Sequence, residues 1–185
     1  MQRALWIGQT VGRLPLAPDL APGGVIEVLG QPCQLEQAPG RRDQGMFRSE
    51  AGFRLVAAGE GEAWTRSAMR LLKAEALKVL AARTQAHAAA LGRPLPKIGV
   101  MDARSRWGSC TPARGMRAAG IRYSWRLILA PHAVMDYVAA HECAHLVHAD
   151  HSPRFWAVVK TLVTDVKASR AWLRANGPRL HALGR

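Results

Sequence analysis

Between residues 25 and 60, hydrophobic positions come in short bursts set apart by glycine and turn-forming residues. Val25-Ile26-Glu27-Val28-Leu29 predicts a strand, the stretch Gly40 to Gly52 is turn-rich, and Phe53 to Ala57 predicts another strand. This is the pattern of a small β-meander ending near Gly59-Glu60-Gly61. The residues before it, 1–24, carry Pro15, Pro18, Pro22, Gly23 and Gly24 and suit an irregular arm. The period then changes. Trp64, Ala68, Leu71, Leu72, Val79 and Leu80 recur at helical spacing and predict one long amphipathic helix from about Glu62 to Ala90, stopped by Leu91-Gly92-Arg93-Pro94. Two strands are expected next, Lys97–Asp102 and Ile121–Leu129. In the second, Ile121, Tyr123, Trp125 and Leu127 alternate with Arg122, Ser124 and Arg126, one face buried and the other polar. A helix is expected from Pro131 to about Ala149. Another should open with Ser152 as N-cap and Pro153 as its first residue, burying Phe155, Trp156, Val159, Leu162, Val163 and Val166. A short last helix should reach Asn176 and stop at Gly177-Pro178. Strands, helix, strands, then helices is an α+β order. It divides into an arm over 1–24, a β-rich subdomain over 25–60 and a main domain over 61–185.

A chain of 185 residues can bury a sizeable core. It contains no apolar run near the roughly 20 residues that span a bilayer, so no membrane is expected. The first 20 residues lack the apolar segment of a signal peptide. The three cysteines, Cys33, Cys110 and Cys143, are odd in number and widely spaced, which argues against a disulfide framework and for a reducing, cytoplasmic setting. No CxxC pair is present, which excludes a cysteine-based zinc ribbon. The net charge of +13 admits nucleic acid or a nucleotide as partner, although the basic residues are scattered and not run together.

The chemistry concentrates at His141-Glu142-Cys143-Ala144-His145, an HExxH pattern. At about 100° per residue, positions i and i+4 share a helix face one turn apart, so two imidazoles there can reach one ion. Glu142, a step of about 100° from His141, can hold a water without ligating the metal. Zn2+ suits such ligands, and a catalytic zinc takes a third protein ligand and keeps one open position. His151 is the favoured third ligand, because the helix should end before Ser152-Pro153 and a turn there would bring its imidazole back. His148 and His132 are the alternatives. His148 lies about 10 Å along a straight helix from His141. The spacing from His145 to His151 matches the metzincins, but His148 stands at their glycine position and no methionine follows Met135. No glutamate follows Glu142, so a downstream glutamate ligand is impossible.

Four segments together carry a more specific resemblance: Arg106-Trp107-Gly108-Ser109-Cys110, Trp125 to Pro131, His141 to Leu146, and His151-Ser152-Pro153-Arg154-Phe155-Trp156. Over about Val25 to Leu180 the chain resembles the YgjP-like metallopeptidases, relatives of the SprT-like and WLM zinc peptidases. The resemblance implies a zincin-like fold with His141, His145 and His151 as zinc ligands and Glu142 catalytic. Two features depart from it: the loop Thr111 to Gly120 is long, and residues 1–24 have no counterpart.

The expected activity is therefore zinc-dependent hydrolysis of a peptide or protein, with Glu142 taking a proton from water and passing it to the leaving group. A peptide could lie along Ile121–Leu129 if that strand is an edge. Two alternatives stand beside it: zinc-dependent nucleotide (pyro)phosphohydrolysis, and SprT-like cleavage of nucleic-acid-associated proteins. Among other residues, Tyr137 could donate to an oxyanion, Tyr123, Arg122 and Arg126 could touch substrate, and Asp150 or Asp165 could orient a ligand histidine. Packing or surface roles are the competing expectation for each. Cys143 should point away from the metal face, and Cys110 should belong to the core. His87 and His181 are expected at the surface. Trp107, Trp125 and Trp156 are expected to pack.

Overall fold

The computed structural model describes residues 20–103 and 105–183. Most of the arm expected over 1–24 lies outside them. The described chain is α+β, with two mixed sheets and four helices. The first sheet comprises β1 (Val25–Val28), β2 (Gln31–Gln37), β3 (Gly45–Ser49) and β4 (Gly52–Ala57), in the order β1-β2-β4-β3. Two hairpins, β1–β2 and β3–β4, join through the parallel pair β2–β4. Hydrophobicity alone marks β1 and β4. β2 and β3 are missed because Gln31–Gln37 buries only Cys33 and Leu35 among polar neighbours, and β3 is largely exposed.

The β1–β2 turn has both central residues in the left-handed region, Leu29 at φ 54° and Gly30 at φ 77°. Two positive φ values match the twist of a tight hairpin, but a leucine there is strained. Tertiary bonds hold it: Leu29 N donates to Ile128 O at 2.8 Å, and His132 N donates to Leu29 O at 3.3 Å. The hairpin tip is thereby tied to the start of the helix that carries the HExxH motif.

Helix α1 (Glu62–Ala90) has the predicted bounds. It buries Trp64, Ala68, Leu72, Ala76, Leu80 and Thr84, one residue per turn. Alternating large and small residues on that stripe let both sheets approach it closely. The second sheet comprises β5 (Lys97–Met101), β6 (Gly108–Thr111) and β7 (Gly120–Ser124), ordered β5-β7-β6. The expected strand Ile121–Leu129 is corrected on two counts. It ends at Ser124, and it is central, so β6 and β5 are the edges. Residues Trp125–Leu129 form a 3-10 helix in which every residue is buried. Alternation fails because Arg126, placed on the polar face by sequence, is wholly buried. Its guanidinium bonds Asp102, and Nε and Nη2 donate to Leu183 O at 3.2 and 2.7 Å.

Helix α2 (His132–Ala144) ends five residues earlier than expected. Helix α3 (Pro153–Leu162) starts as expected: Ser152 is its N-cap, with Oγ accepting from Phe155 N at 3.5 Å, and Pro153 is its first residue. Helix α4 (Val166–Ala182) runs through Gly177-Pro178 instead of stopping there. Packing overrides the local stop signal. Gly177 is buried, with room for its backbone against Trp107 (a Cβ would sit 3.3 Å from that ring), and Leu180 and Leu183 join the core beyond it. A single hydrophobic cluster runs from Ile26 through Trp64 and Tyr123 to Leu183. Among the described residues, no helix is long and apolar enough to cross a membrane.

Candidate metal centre

The last turn of α2 puts His141 and His145 on one face, ring centroids 5.1 Å apart, as a spacing of four requires. Beyond Ala144 the helix tightens. Leu146 N and Val147 N bond back three residues, to Cys143 O and Ala144 O, and the chain turns. The turn closes on His145, whose Nδ1 lies 3.0 Å from His148 O. A carbonyl only accepts, so Nδ1 carries the proton and Nε2 keeps its lone pair. Asp150 Oδ1 then accepts from Ser152 N at 3.4 Å and ends the turn before α3 begins. This path delivers His151, with Nε2 3.2 Å from His141 Nε2.

One nitrogen from each of His141, His145 and His151 lies within 4.8 Å of the others. Tetrahedral Zn–N bonds of about 2.0–2.1 Å separate ligand nitrogens by about 3.3 Å, close to the His141–His151 spacing. Two of the donors are also biased toward the neutral form that binds a metal. Burial, then the neighbouring His145, His151 and Arg170, push His141 down to about 4, so it is neutral at pH 7. Burial likewise lowers His145, partly offset by the His148 carbonyl. Phe155, fully buried in α3, backs all three rings at centroid distances of 4.9, 4.5 and 4.8 Å, and Trp156 flanks His141 at 5.7 Å and His151 at 6.0 Å. A convergent, apolar-backed triad of imidazoles fits zinc.

Glu142, the next residue on the helix after His141, is only 6% exposed. Burial raises its carboxyl to about 7, with the charge of Arg106 pulling the other way. It lies against the first residue of β6: a Cβ on Gly108 would meet Glu142 Oε1 at 2.4 Å and its Cγ at 2.6 Å. Only glycine lets this carboxylate occupy the space beside the edge strand. Gly108 and Arg106 escaped functional assignment from sequence, although both lie in the segment that carries the family resemblance. Arg170, whose charge reaches His141 and Tyr137, gave no sequence signal at all.

The remaining candidates separate cleanly. His148 contributes its carbonyl, not its ring, and His132 sits at the opposite end of α2, about 13 Å along the axis from His141. Tyr137 is buried and edge-on to His141 at 6.0 Å. Tyr123 is buried and hydrogen-bonds Thr84 at 2.9 Å, and Arg126 is occupied by Asp102 and Leu183, so neither faces substrate. Arg122 is exposed. Asp150 bonds Ser152, and Asp165 precedes α4; neither orients a ligand ring. Cys143 faces α1, its thiol 3.8 Å from Thr84 O. Cys110 is half-buried, and burial pushes its thiol up to about 11. Trp125 is buried, while Trp107 and Trp156 are partly so.

Two histidines expected at the surface are not there. His181 stacks on Trp107 with centroids 4.3 Å apart. His87 is buried, its Nε2 2.6 Å from Asp136 Oδ1. Arg83 completes that cluster with a bidentate pair to Asp136 at 2.6 and 2.9 Å. Burial would raise the Asp136 carboxyl, but the hydrogen bonds from His87 and Arg83 outweigh it and hold it below the usual range. This cluster fastens α1 to the HExxH helix on the side away from the histidine triad.

A family model described as YgjP-like, metallopeptidase domain, matches residues 1–176, and so takes in residues 1–24, which the resemblance read from sequence leaves without a counterpart. No curated protein and no solved structure matches the chain.

Proposed function

We propose that the chain, which belongs to the YgjP-like metallopeptidase family, is a zinc-dependent peptidase in which His141, His145 and His151 hold the ion and Glu142 is the general base. The observation that carries this is the convergence of three imidazole nitrogens within 4.8 Å, with a buried carboxylate on the adjoining residue. Zinc held there would polarise the scissile carbonyl and acidify a water. Glu142 would take the proton of the attacking water on its carboxylate and hand it to the departing amine. Its close packing against Gly108 narrows the space open to the carboxylate, which lowers the cost of aligning it. Phe155 and Trp156 give the ligand rings an apolar backing. An extended peptide would pair with β6, whose outer edge has no strand partner among the described residues and whose first residue abuts Glu142. A second reading, hydrolysis of nucleoside phosphates, draws support from the basic residues beside the site, Arg170 foremost. It is disfavoured by the donor set, because phosphoryl sites commonly use carboxylate-rich two-metal clusters. Among the described residues the histidine triad is the one group able to hold a metal.

The test is Glu142→Gln. It should retain one zinc per chain and lose casein and peptide cleavage by at least about 10²-fold, the contribution of a general base. Retained cleavage would sink the assignment. Chelator-sensitive turnover of a nucleoside triphosphate, with none of casein, would favour the second reading.

A further inference from the structure

We propose that the groove between the end of α3 and the first turns of α4 is a subsite for an acidic side chain of the substrate, two or three residues from the scissile bond. This rests on the peptidase reading and extends it to specificity. The groove has a volume of about 510 Å³ and is lined by Lys160, Thr164, Lys167, Arg170 and Arg174 with two apolar neighbours, and no carboxylate lines it. Lys167, Arg170 and Arg174 fall at i, i+3 and i+7, one face of α4, and Lys160 faces them from the last turn of α3.

None of these four cations enters an ion pair among the described residues. Elsewhere the chain pairs its arginines where acids are at hand: Arg54 with Glu36, Arg83 with Asp136, Arg126 with Asp102. Four like charges around one hollow repel one another. An arriving carboxylate relieves that repulsion as well as making its own contacts.

One residue lining the hollow, Arg170, links it to the metal centre through Trp156. The Arg170 guanidinium carbon lies 5.0 Å from the Trp156 ring centroid, and that ring is 5.7 Å from His141. An extended chain advances about 3.3 Å per residue, so two or three residues carry a substrate from the ligand rings across Trp156 to Arg170. A peptide is favoured over nucleic acid because the cations gather around a single hollow and do not form a track for a phosphate backbone.

The experiment uses internally quenched peptides carrying Glu or Gln at each of three positions on either side of the scissile bond. They are cleaved by the zinc-loaded wild type and by the double variant Lys167→Glu, Arg174→Glu. At one position Glu should lower KM about five- to tenfold relative to Gln, as two or three exposed ion pairs would, with kcat unchanged. The advantage should shrink as salt is raised past about 0.15 M. The double variant should lose or invert the preference while cutting the Gln peptides as the wild type does. Equal KM for Glu and Gln at every position would overturn the proposal, and so would a preference that survives charge reversal. If the wild type cuts no peptide, the peptidase reading fails and the groove is judged by binding. Fluorescein-labelled Glu and Gln peptides are then titrated against zinc-loaded Glu142→Gln with and without the charge reversal. A Glu preference abolished by reversal supports the subsite. No preference, with a nucleoside triphosphate or duplex DNA losing affinity instead, overturns it.

Discussion

Replacing Gly108 by alanine adds one methyl group, and its position is set by the backbone. That methyl would sit 2.4 Å from Glu142 Oε1, 2.6 Å from Cγ and 2.7 Å from Cδ. Non-bonded carbon and oxygen atoms need about 3.3 Å or more, so the carboxylate must retreat by close to 1 Å. The whole side chain is obstructed, Cγ included, so rotating the carboxylate alone does not relieve the clash. A misplacement of about 1 Å at a reacting group costs roughly 10²-fold in kcat. Overpacking of a buried site also costs about 1–3 kcal/mol of stability. The three atoms that the methyl meets all belong to Glu142 and none to a ligand imidazole, so zinc content should stay at one per chain. The assay has two arms. Steady-state cleavage with parallel metal analysis should show a depressed kcat in a zinc-loaded enzyme. Denaturant titration of Gly108→Ala in the wild-type and Glu142→Ala backgrounds should show the destabilisation in the first and little in the second, because Glu142→Ala removes the three clashing atoms. An equal loss of stability in both backgrounds would refute the reasoning, as would undiminished kcat.

Other consequences are open to direct measurement. His151→Ala should lower bound zinc after dialysis from one per chain to near zero, while His148→Ala should leave it in place, because His148 acts through its backbone carbonyl; metal analysis of both variants decides this. Asp136→Asn should destabilise the protein by about 2–3 kcal/mol at pH 7, since it weakens a largely buried cluster with His87 and Arg83, and a Tm drop of about 4–12 °C would report it. The folded pKa of Asp136 is depressed, so its stabilisation is present above the unfolded value near pH ~3.9 and is lost as pH falls through the lower folded value. The gap between wild type and Asp136→Asn should therefore close in strong acid; a gap of constant size from pH 7 to 2 would refute the linkage.

How far the sequence revealed this arrangement depended on whether a feature is local. The HExxH spacing, the Ser152-Pro153 helix start and the span of α1 are set by contacts within one or two turns, and each is legible. His151 was reachable because the turn before Ser152-Pro153 is itself a local signal. Arg126 was not. Its burial depends on Asp102 and on the carbonyl of Leu183, 57 residues away. The passage of α4 through Gly177-Pro178 likewise depends on Trp107, a distant residue that Gly177 lets approach. His87 read as a surface histidine because its partner, Asp136, is on another helix. Strand β7 looked twice its length because a fully buried 3-10 segment continues the hydrophobic run after alternation has stopped. The assignments to zinc, Glu142 and peptide substrate came from chemistry and from resemblance. The fold supplied what neither could, the contact of Gly108 with the base.

The elements around α2 hold the three histidines in two different ways. The helix is bound at its start by the strained Leu29 turn, along its flank by Asp136 to Arg83 and His87, and at Cys143 to Thr84 O. His141, Glu142 and His145 inherit that rigidity, because their backbone cannot shift without breaking several of these bonds. His151 does not. It is exposed and lies on a turn between helices, held by ring contacts with Phe155 and Trp156, by the Nε2 contact with His141 and by the Asp150–Ser152 bond nearby. On the proposed zinc reading, metal affinity would depend on the order of that turn. Each residue ordered on loading costs about 1–2 kcal/mol of backbone entropy, which the His148 carbonyl and the Ser152 cap reduce by ordering the turn beforehand. On the proposed reading, the placement of Glu142 is thus a property of the core, while retention of a metal would be a property of residues 145–152.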